Sequence, residues 1–277
     1  GIEKMKILSF SSLISKTVSI FGLFYFVNEP SDYILIPIIS CLGIFFSLLI
    51  SYFYLFKKVK IFFIMPDIKG LIKSVQEGKE MFFSIISSSL YTSSNVVLIG
   101  IFAGQEKAAF YSCAEKIIKS FLGLFSPLFQ SLYPYMVEKI NFNPKECVQN
   151  LKKYLPIFFT FSFSCSALIF IFSSDIINLL FGWEYMASVK ALKIMSFIIF
   201  LVSVSNILGT QIMIPLNFKK EFLFIISSAG LFAVTGMLAT SAKYHVEGAA
   251  LIFLLSEIYV SCAMIFFIIK KKILFWI

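Results

Sequence analysis

The sequence predicts an all-α, polytopic membrane protein with about eight transmembrane helices. Composition is the first observation behind this. Of 277 residues, 59% are apolar, 18% aromatic and only 14% charged, with 35 Phe and a mean hydropathy of +0.91. Soluble domains carry about 45–50% apolar and about 25% charged residues, so too little polar surface remains to cover a water-soluble globule. A soluble enzyme, a nucleic-acid-binding domain and a disordered chain are excluded on that ground. The second observation is segmentation. Eight stretches reach the roughly 20 mostly apolar residues that cross about 30 Å of hydrocarbon: about 7–27, 33–56, 81–103, 108–137, 154–173, 190–214, 221–240 and 247–269. The third is the placement of lysine.

All 24 basic residues are Lys. Seventeen of them fall in alternate gaps, counted from the N-terminus: Lys4 and Lys6; Lys57 to Lys79; Lys139 to Lys153; Lys219 and Lys220; Lys270 to Lys272. The intervening gaps hold only Lys107 and Lys243, and NEPSD at 28–32 holds none. Under the positive-inside rule this alternation predicts both termini in the cytoplasm. It also explains the net charge of +9 as headgroup-facing lysine rather than a phosphate-reading surface. The opening GIEKMK is short and basic and runs straight into a full span, unlike a signal peptide.

Two gaps carry internal structure. In PDIKGLIKSVQEGK, Ile68, Leu71, Ile72 and Val75 fall at i, i+3, i+4 and i+7, which predicts a short amphipathic helix on the inner membrane surface. The outer gap SSDIINLLFGWEYMA carries Trp183 and Tyr185, rings that favour the membrane interface.

The informative residues are those a bilayer should reject. Lys16 sits near the middle of the first span, where insertion costs about 2.5–3.5 kcal/mol, so it should face protein or water. A water-filled cavity and a structural ion pair both satisfy that requirement. On the fourth span Glu115 and Lys119 are spaced i,i+4 with the acid first, the favourable order, while Lys116 points elsewhere. Ser112, Lys119, Gly123, Ser126 and Gln130 extend a polar stripe, and Gly123 and Pro127 are bend points. An end near the outer interface would make these charges inexpensive instead. Ser84, Ser88, Tyr91 and Asn95 line one side of the third span, and Ser196, Ser203, Asn206 and Thr210 recur along the sixth. Serines in spans commonly bond only to backbone. Glu257, mid-way along the last span, is either paired with lysine or protonatable, a candidate for ion coupling.

Other chemistry has little to draw on. Cys41, Cys113, Cys147, Cys165 and Cys262 show no CxxC spacing and read as small hydrophobes. With His245 the single histidine, neither a zinc site nor a Ser/His/Asp triad is available. No GxxxxGK[ST] loop is present, so no cofactor and no ATP site are expected. Energy would come from an ion or substrate gradient through alternating access. Mid-membrane lysines beside hydroxyl-rich stripes suit an anionic, hydroxyl-rich passenger.

The runs GIEKMKILSFSSLISKTVSIFGLFYFVN, GKEMFFSIISSSLYTSSNVVLIGIFAG, AAFYSCAEKI, SPLFQSLYPYM, SSDIINLLFGWEYMASVKALKIMS, GTQIMIP followed by KKEF, and GAALIFLLSE resemble, in order and spacing, the bacterial Wzx-type O-antigen flippases. These are polysaccharide transporters within the multidrug, oligosaccharidyl-lipid and polysaccharide exporter superfamily. The resemblance covers nearly the whole chain. It implies two six-helix lobes around a cationic cavity, and an undecaprenyl-diphosphate-linked oligosaccharide moved from the cytoplasmic to the periplasmic leaflet of the inner membrane. O-antigen polymerase and a chain-length regulator would be partners. Residues 1–56 would be the last two helices of a first lobe, 57–80 a cytoplasmic linker, and 81–277 a complete six-helix second lobe with a short tail. About four N-terminal helices would precede Gly1. Lys16, Lys116 and Lys119 are the candidate cavity cations that would bind substrate; Glu115, Tyr91, Asn95, Gln130 and Asn206 are the candidate polar lining. A membrane polymerase or glycosyltransferase would need catalytic acids on a sizeable outer loop, whereas the longest outer gap offers only Asp175 and Glu184. A drug or cation exporter would favour acidic cavity residues.

Overall fold

The computed structural model describes residues 5–59 and 67–273, and at some of these positions, Tyr91 among them, the backbone alone. The described residues are helical almost throughout and form two compact units, Gly1–Leu71 and Ile72–Ile277. Among the described residues, six segments are long and apolar enough to cross a membrane: Ser31–Phe53, Gly78–Ala103, Leu151–Ile171, Ser188–Met213, Lys219–Thr240 and His245–Lys270. Each matches an expected span. The other two expected spans are also helical. The first contributes the shorter apolar run Ile14–Phe26, and the fourth is long but carries the polar stripe.

In the first unit, α1 (Met5–Phe26) packs along α2 (Leu35–Val59). Small residues bring the backbones together. A Cβ at Gly22 would sit 2.7 Å from Ile39 Cγ2, and one at Gly43 would meet the Ser19 hydroxyl and lie 2.7 Å from the Ser15 carbonyl oxygen. Close approach of this kind replaces the hydrophobic drive that helices lack in lipid.

The second unit takes in α3 (Ile68–Ala103) from Ile72 onward, then α4 (Gln105–Phe142) and α5 (Pro144–Ile171). The amphipathic segment at 68–75 is therefore not a separate surface helix. It forms the first turns of α3, with Ile68, Leu71, Ile72 and Val75 all exposed. Gly70 and Gly78 weaken a helix by only about 1 kcal/mol each, and no proline follows Pro66 until Pro127, so nothing stops it. Gly104, at φ 92, turns the chain into α4, and Pro144 opens α5 where its missing N–H costs nothing.

A short α6 (Ser173–Phe181) and a 3₁₀ turn at Trp183–Tyr185 occupy the outer gap, separated by Gly182 at φ 88. Trp183 is exposed. The sixth span is composite: α7 (Ser188–Met195), α8 (Ile198–Ser205), then a π-helix over Asn206–Met213. It is the most buried of the six segments of membrane length. Ala191, Leu192, Met195, Ile198, Ile199, Ile212 and Met213 are fully enclosed, so this rod is the centre that α4, α5 and the last helix surround.

That last helix, α9 (Lys219–Lys270), breaks at His245, whose φ of 44° and ψ of −120° are non-helical. Its halves pack antiparallel. Ser228 bonds Tyr259 at 2.9 Å, Phe232 stacks on Tyr259, and Gly236 abuts Ile252. An exposed ion pair, Lys190–Glu247 at 3.1 Å, joins α7 to the second half but adds little at such exposure. Outside this core, large apolar side chains such as Phe24, Leu124, Leu179 and Phe224 stand exposed, as a lipid-facing shell requires.

The cysteines test this core directly. Cys113 and Cys147 are buried and Cys41 and Cys262 exposed; the Cys147 thiol donates to Met136 Sδ at 3.6 Å. Burial pushes the Cys147 thiol up, with Lys139 pulling the other way. In mild detergent, a small maleimide at pH 8 should modify Cys147 at least roughly tenfold more slowly than it does once SDS has unfolded the protein. Equal rates would show that the α4–α5 contact is open.

Candidate functional site

The polar stripe of α4 follows from helical spacing: Glu115, Lys119, Ser126 and Gln130 recur three to four residues apart or at multiples of that interval. Glu115 is buried, and its Oε1 lies 3.1 Å from the Lys119 Nζ, whose side chain is half exposed. The expected i,i+4 pair is therefore made, with its acid inside and its base at the edge of a cavity.

That cavity has a volume of about 290 Å³. Lys119 of α4, Ser88 and Thr92 of α3, Ser205, Asn206 and Thr210 of the central rod, and Glu257 of α9 supply its polar wall; Phe222, Phe253 and Met264 supply much of its apolar wall. A second cavity of about 420 Å³ adjoins it, sharing Leu122, Val202, Asn206 and Thr210, and adds Ser126, Gln130, Tyr133 and Gln211. Gln130 Nε2 donates to the Ser126 hydroxyl at 2.8 Å. Gln211 Nε2 donates to the Phe129 carbonyl at 3.1 Å and reaches Asn206 Oδ1 at 3.4 Å.

The structure thus brings Lys119, Gln130, Asn206 and Glu257 around two adjoining hollows inside one helical unit, while Glu115 lines neither and reaches them only through its pair with Lys119. Lys116 lies on the same helix, is exposed, and lines neither hollow. Lys16 is exposed on α1, within the first unit. Asn95 is buried, and its Nδ2 donates to the Tyr111 hydroxyl at 3.0 Å in the packed interior. The side chain of Tyr91 lies outside the described residues. Several of the serines do no more than bond backbone. Ser84 donates to the Glu80 carbonyl, Ser196 to Lys193 and Ser203 to Ile199.

Sequence reasoning missed Gln211, Tyr133, Ser205 and Thr92. The signal for Gln211 was the apolar run that follows it, IMIP, in a buried stretch that tolerates an amide only with partners. Its phase was hidden because a π-helix adds a residue per turn. What the arrangement can do follows from its groups. An ammonium at the rim attracts anions, more strongly as water is excluded. Amides and hydroxyls match a polyhydroxylated ligand, and a carboxylate facing the same space can hold a proton or a cation. Among the described residues no cluster of His, Cys, Asp and Glu could hold a metal ion.

Comparison with known proteins adds an independent line. A family model described as polysaccharide biosynthesis protein matches residues 1–139. A relative from Escherichia coli (strain K12) is 28% identical over 274 residues, covering 99% of this chain and 66% of the relative. One from Shigella dysenteriae is 27% identical over 220 residues, covering 79% of this chain and 55% of the relative. Both carry the name "Putative O-antigen transporter"; neither name describes an enzyme. The chain spans about two thirds or less of the length of these relatives. No solved structure matches it.

Proposed function

The chain belongs to the polysaccharide biosynthesis protein family, and from that premise we propose that it is the greater part of a flippase for undecaprenyl-diphosphate-linked O-antigen repeat units. The passenger moves from the cytoplasmic to the periplasmic leaflet of the bacterial inner membrane. The observation that carries this reading is the pair of adjoining cavities at the α4 stripe, whose largely apolar walls carry amides and hydroxyls, with Lys119 of α4 and Glu257 of α9 both lining the smaller one. A diphosphate is drawn to ammonium groups in a low-dielectric site, while Asn206, Gln130 and the hydroxyls meet sugar. Lys16 and Lys116 are the further cations of the pathway. Glu257 couples movement to an ion by taking up and releasing a proton or sodium.

Residues 1–56 are read as the end of a first lobe and 81–277 as the second lobe. The unit boundary between Leu71 and Ile72 falls inside the linker at 57–80, which supports that division. Both termini of the chain lie in the cytoplasm on this reading, on the lysine-rich side.

The test is complementation of a flippase-null strain with the full-length protein, scored by surface O-antigen and by accumulated lipid-linked repeat units. Lys16→Ala should cut surface polysaccharide by at least about tenfold, the weight of one lost charge contact of roughly 1.5 kcal/mol, with the protein still inserted. Normal surface polysaccharide would remove Lys16 from the pathway. Glu257→Gln should flatten the dependence of transport on pH or sodium, and a wild-type profile would make Glu257 structural.

A further inference from the structure

The two arms of α9 run antiparallel, so its first residues and its last meet at one membrane surface. Lys271 marks the meeting. Its Nζ stands 5.6 Å from the ring centre of Phe218, just before the first arm, and 5.9 Å from that of Phe267, near the end of the second, within reach of a cation–π contact with each. The two rings pack edge to face at 5.3 Å. Lys219 and Lys220 are thereby gathered with Lys270, Lys271 and Lys272 into one cluster, and all but Lys219 are exposed. Beside it, between α3 and the start of α9, lies a polar hollow of about 610 Å³ lined by Gln76, Glu80, Asn217, Lys219, Lys220 and Glu221. Its two carboxylates leave the lysines in excess.

The side chains beneath these cations select the partner. Phe224 follows Lys220 by four residues and Phe266 precedes Lys270 by four, so each arm carries a ring on the face of its lysine, one turn further into the span. Both rings are exposed, as is Ile269. A soluble anion would engage the ammonium groups alone, whereas an anionic amphiphile engages cations and rings together. We propose that this corner of the fold is a discrete seat for an anionic glycerophospholipid. Its phosphate lies among the lysines, its headgroup glycerol hydroxyl bonds the amides and carboxylates of the hollow, and its acyl chains run along Phe224 and Phe266. Cardiolipin, with two phosphates, matches best because both arms contribute cations. Lysine placed merely on one side of a membrane gives a diffuse attraction to headgroups; here tertiary structure joins charges from the two ends of one hairpin. Binding at this seat goes beyond the transport reading and does not depend on it.

The test is native mass spectrometry of the full-length protein, titrated in detergent with cardiolipin, phosphatidylglycerol or phosphatidylethanolamine. The first cardiolipin should bind at least about tenfold more tightly than the first phosphatidylethanolamine, with phosphatidylglycerol between them. A lysine near an anionic surface is worth about fivefold in affinity. Lys220→Gln with Lys270→Gln should therefore weaken cardiolipin by at least about tenfold. Lys152→Gln with Lys153→Gln, which removes equal charge from another lysine-rich gap at exposed positions, should change it less than about twofold. Phe224→Ser with Phe266→Ser should weaken cardiolipin by at least about fivefold, and excess inorganic phosphate should not displace it. All of these side chains are exposed, so their replacement leaves the core intact. Equal losses from the two lysine pairs, or no preference over phosphatidylethanolamine, would overturn the seat and leave ordinary surface attraction. Displacement by phosphate, or no effect of the two serine replacements, would overturn the lipid as occupant and assign the lysines to a soluble anion.

Discussion

Gly209→Val should cost the second unit more than about 3 kcal/mol, the upper part of what overpacking a core exacts. Gly209 is buried in the π-helix, and a Cβ there would lie 2.6 Å from Phe222 Cε2 and 2.8 Å from Met264 Cε. Phe222 opens the first half of α9 and Met264 lies near the end of the second, so one added branch wedges both arms of the hairpin from the central rod. Ala would be partly absorbed, because the Met264 tip can rotate away; the two methyls of Val cannot be. Phe222 and Met264 also line the cavity that holds Lys119 and Glu257, so stability and transport should fall together. The check is thermal unfolding of detergent-solubilised protein. The expected loss in midpoint is roughly 6–12 °C by the scaling for domains of this size, and Gly209→Val combined with Met264→Ala should recover part of it. A wild-type midpoint in the single variant would mean that the rod and the hairpin are not in contact at this level.

The second large effect separates structure from transport at Glu115–Lys119. Removing the base alone, as in Lys119→Leu, leaves a buried carboxylate without its partner. Breaking a fully buried pair costs about 3–5 kcal/mol. With Lys119 half exposed, water screens part of that, and a loss of about 1–3 kcal/mol is expected. Replacing both, Glu115→Leu with Lys119→Leu, should restore most of the stability, since an apolar pair satisfies the helix packing. It should not restore surface O-antigen, because no ammonium remains at the cavity rim. If the double variant transports normally, the pair is only a strut and the anion site lies elsewhere.

Hydropathy and lysine placement made the spans legible. Six expected segments coincide with helices of membrane length, and the break between the seventh and eighth, expected at 241–246, falls at His245. The α4 stripe was legible too, because i,i+4 spacing fixes a face; Glu115 and Lys119 pair as expected. What stayed hidden depended on local geometry or on distant partners. A helical wheel could not foresee that the sixth span changes winding at Asn206 and turns Gln211 into the polar wall. Nothing near Asn95 in the sequence points to the Tyr111 hydroxyl 16 residues on, and no spacing rule pairs Ser87 with Ser227. The amphipathic pattern at 68–75 was correctly read as one apolar face but not as the start of α3, because periodicity reports a face and not an end.

The hairpin of α9 has a consequence for how the chain reaches its membrane. Its two arms reverse about His245 with almost no connecting loop, and Ser228, Phe232 and Gly236 of the first arm already meet Tyr259 and Ile252 of the second. With so little chain between them, the two arms are expected to enter the bilayer together as one hairpin, and a bulky tag placed at the tip should lower the yield of inserted protein.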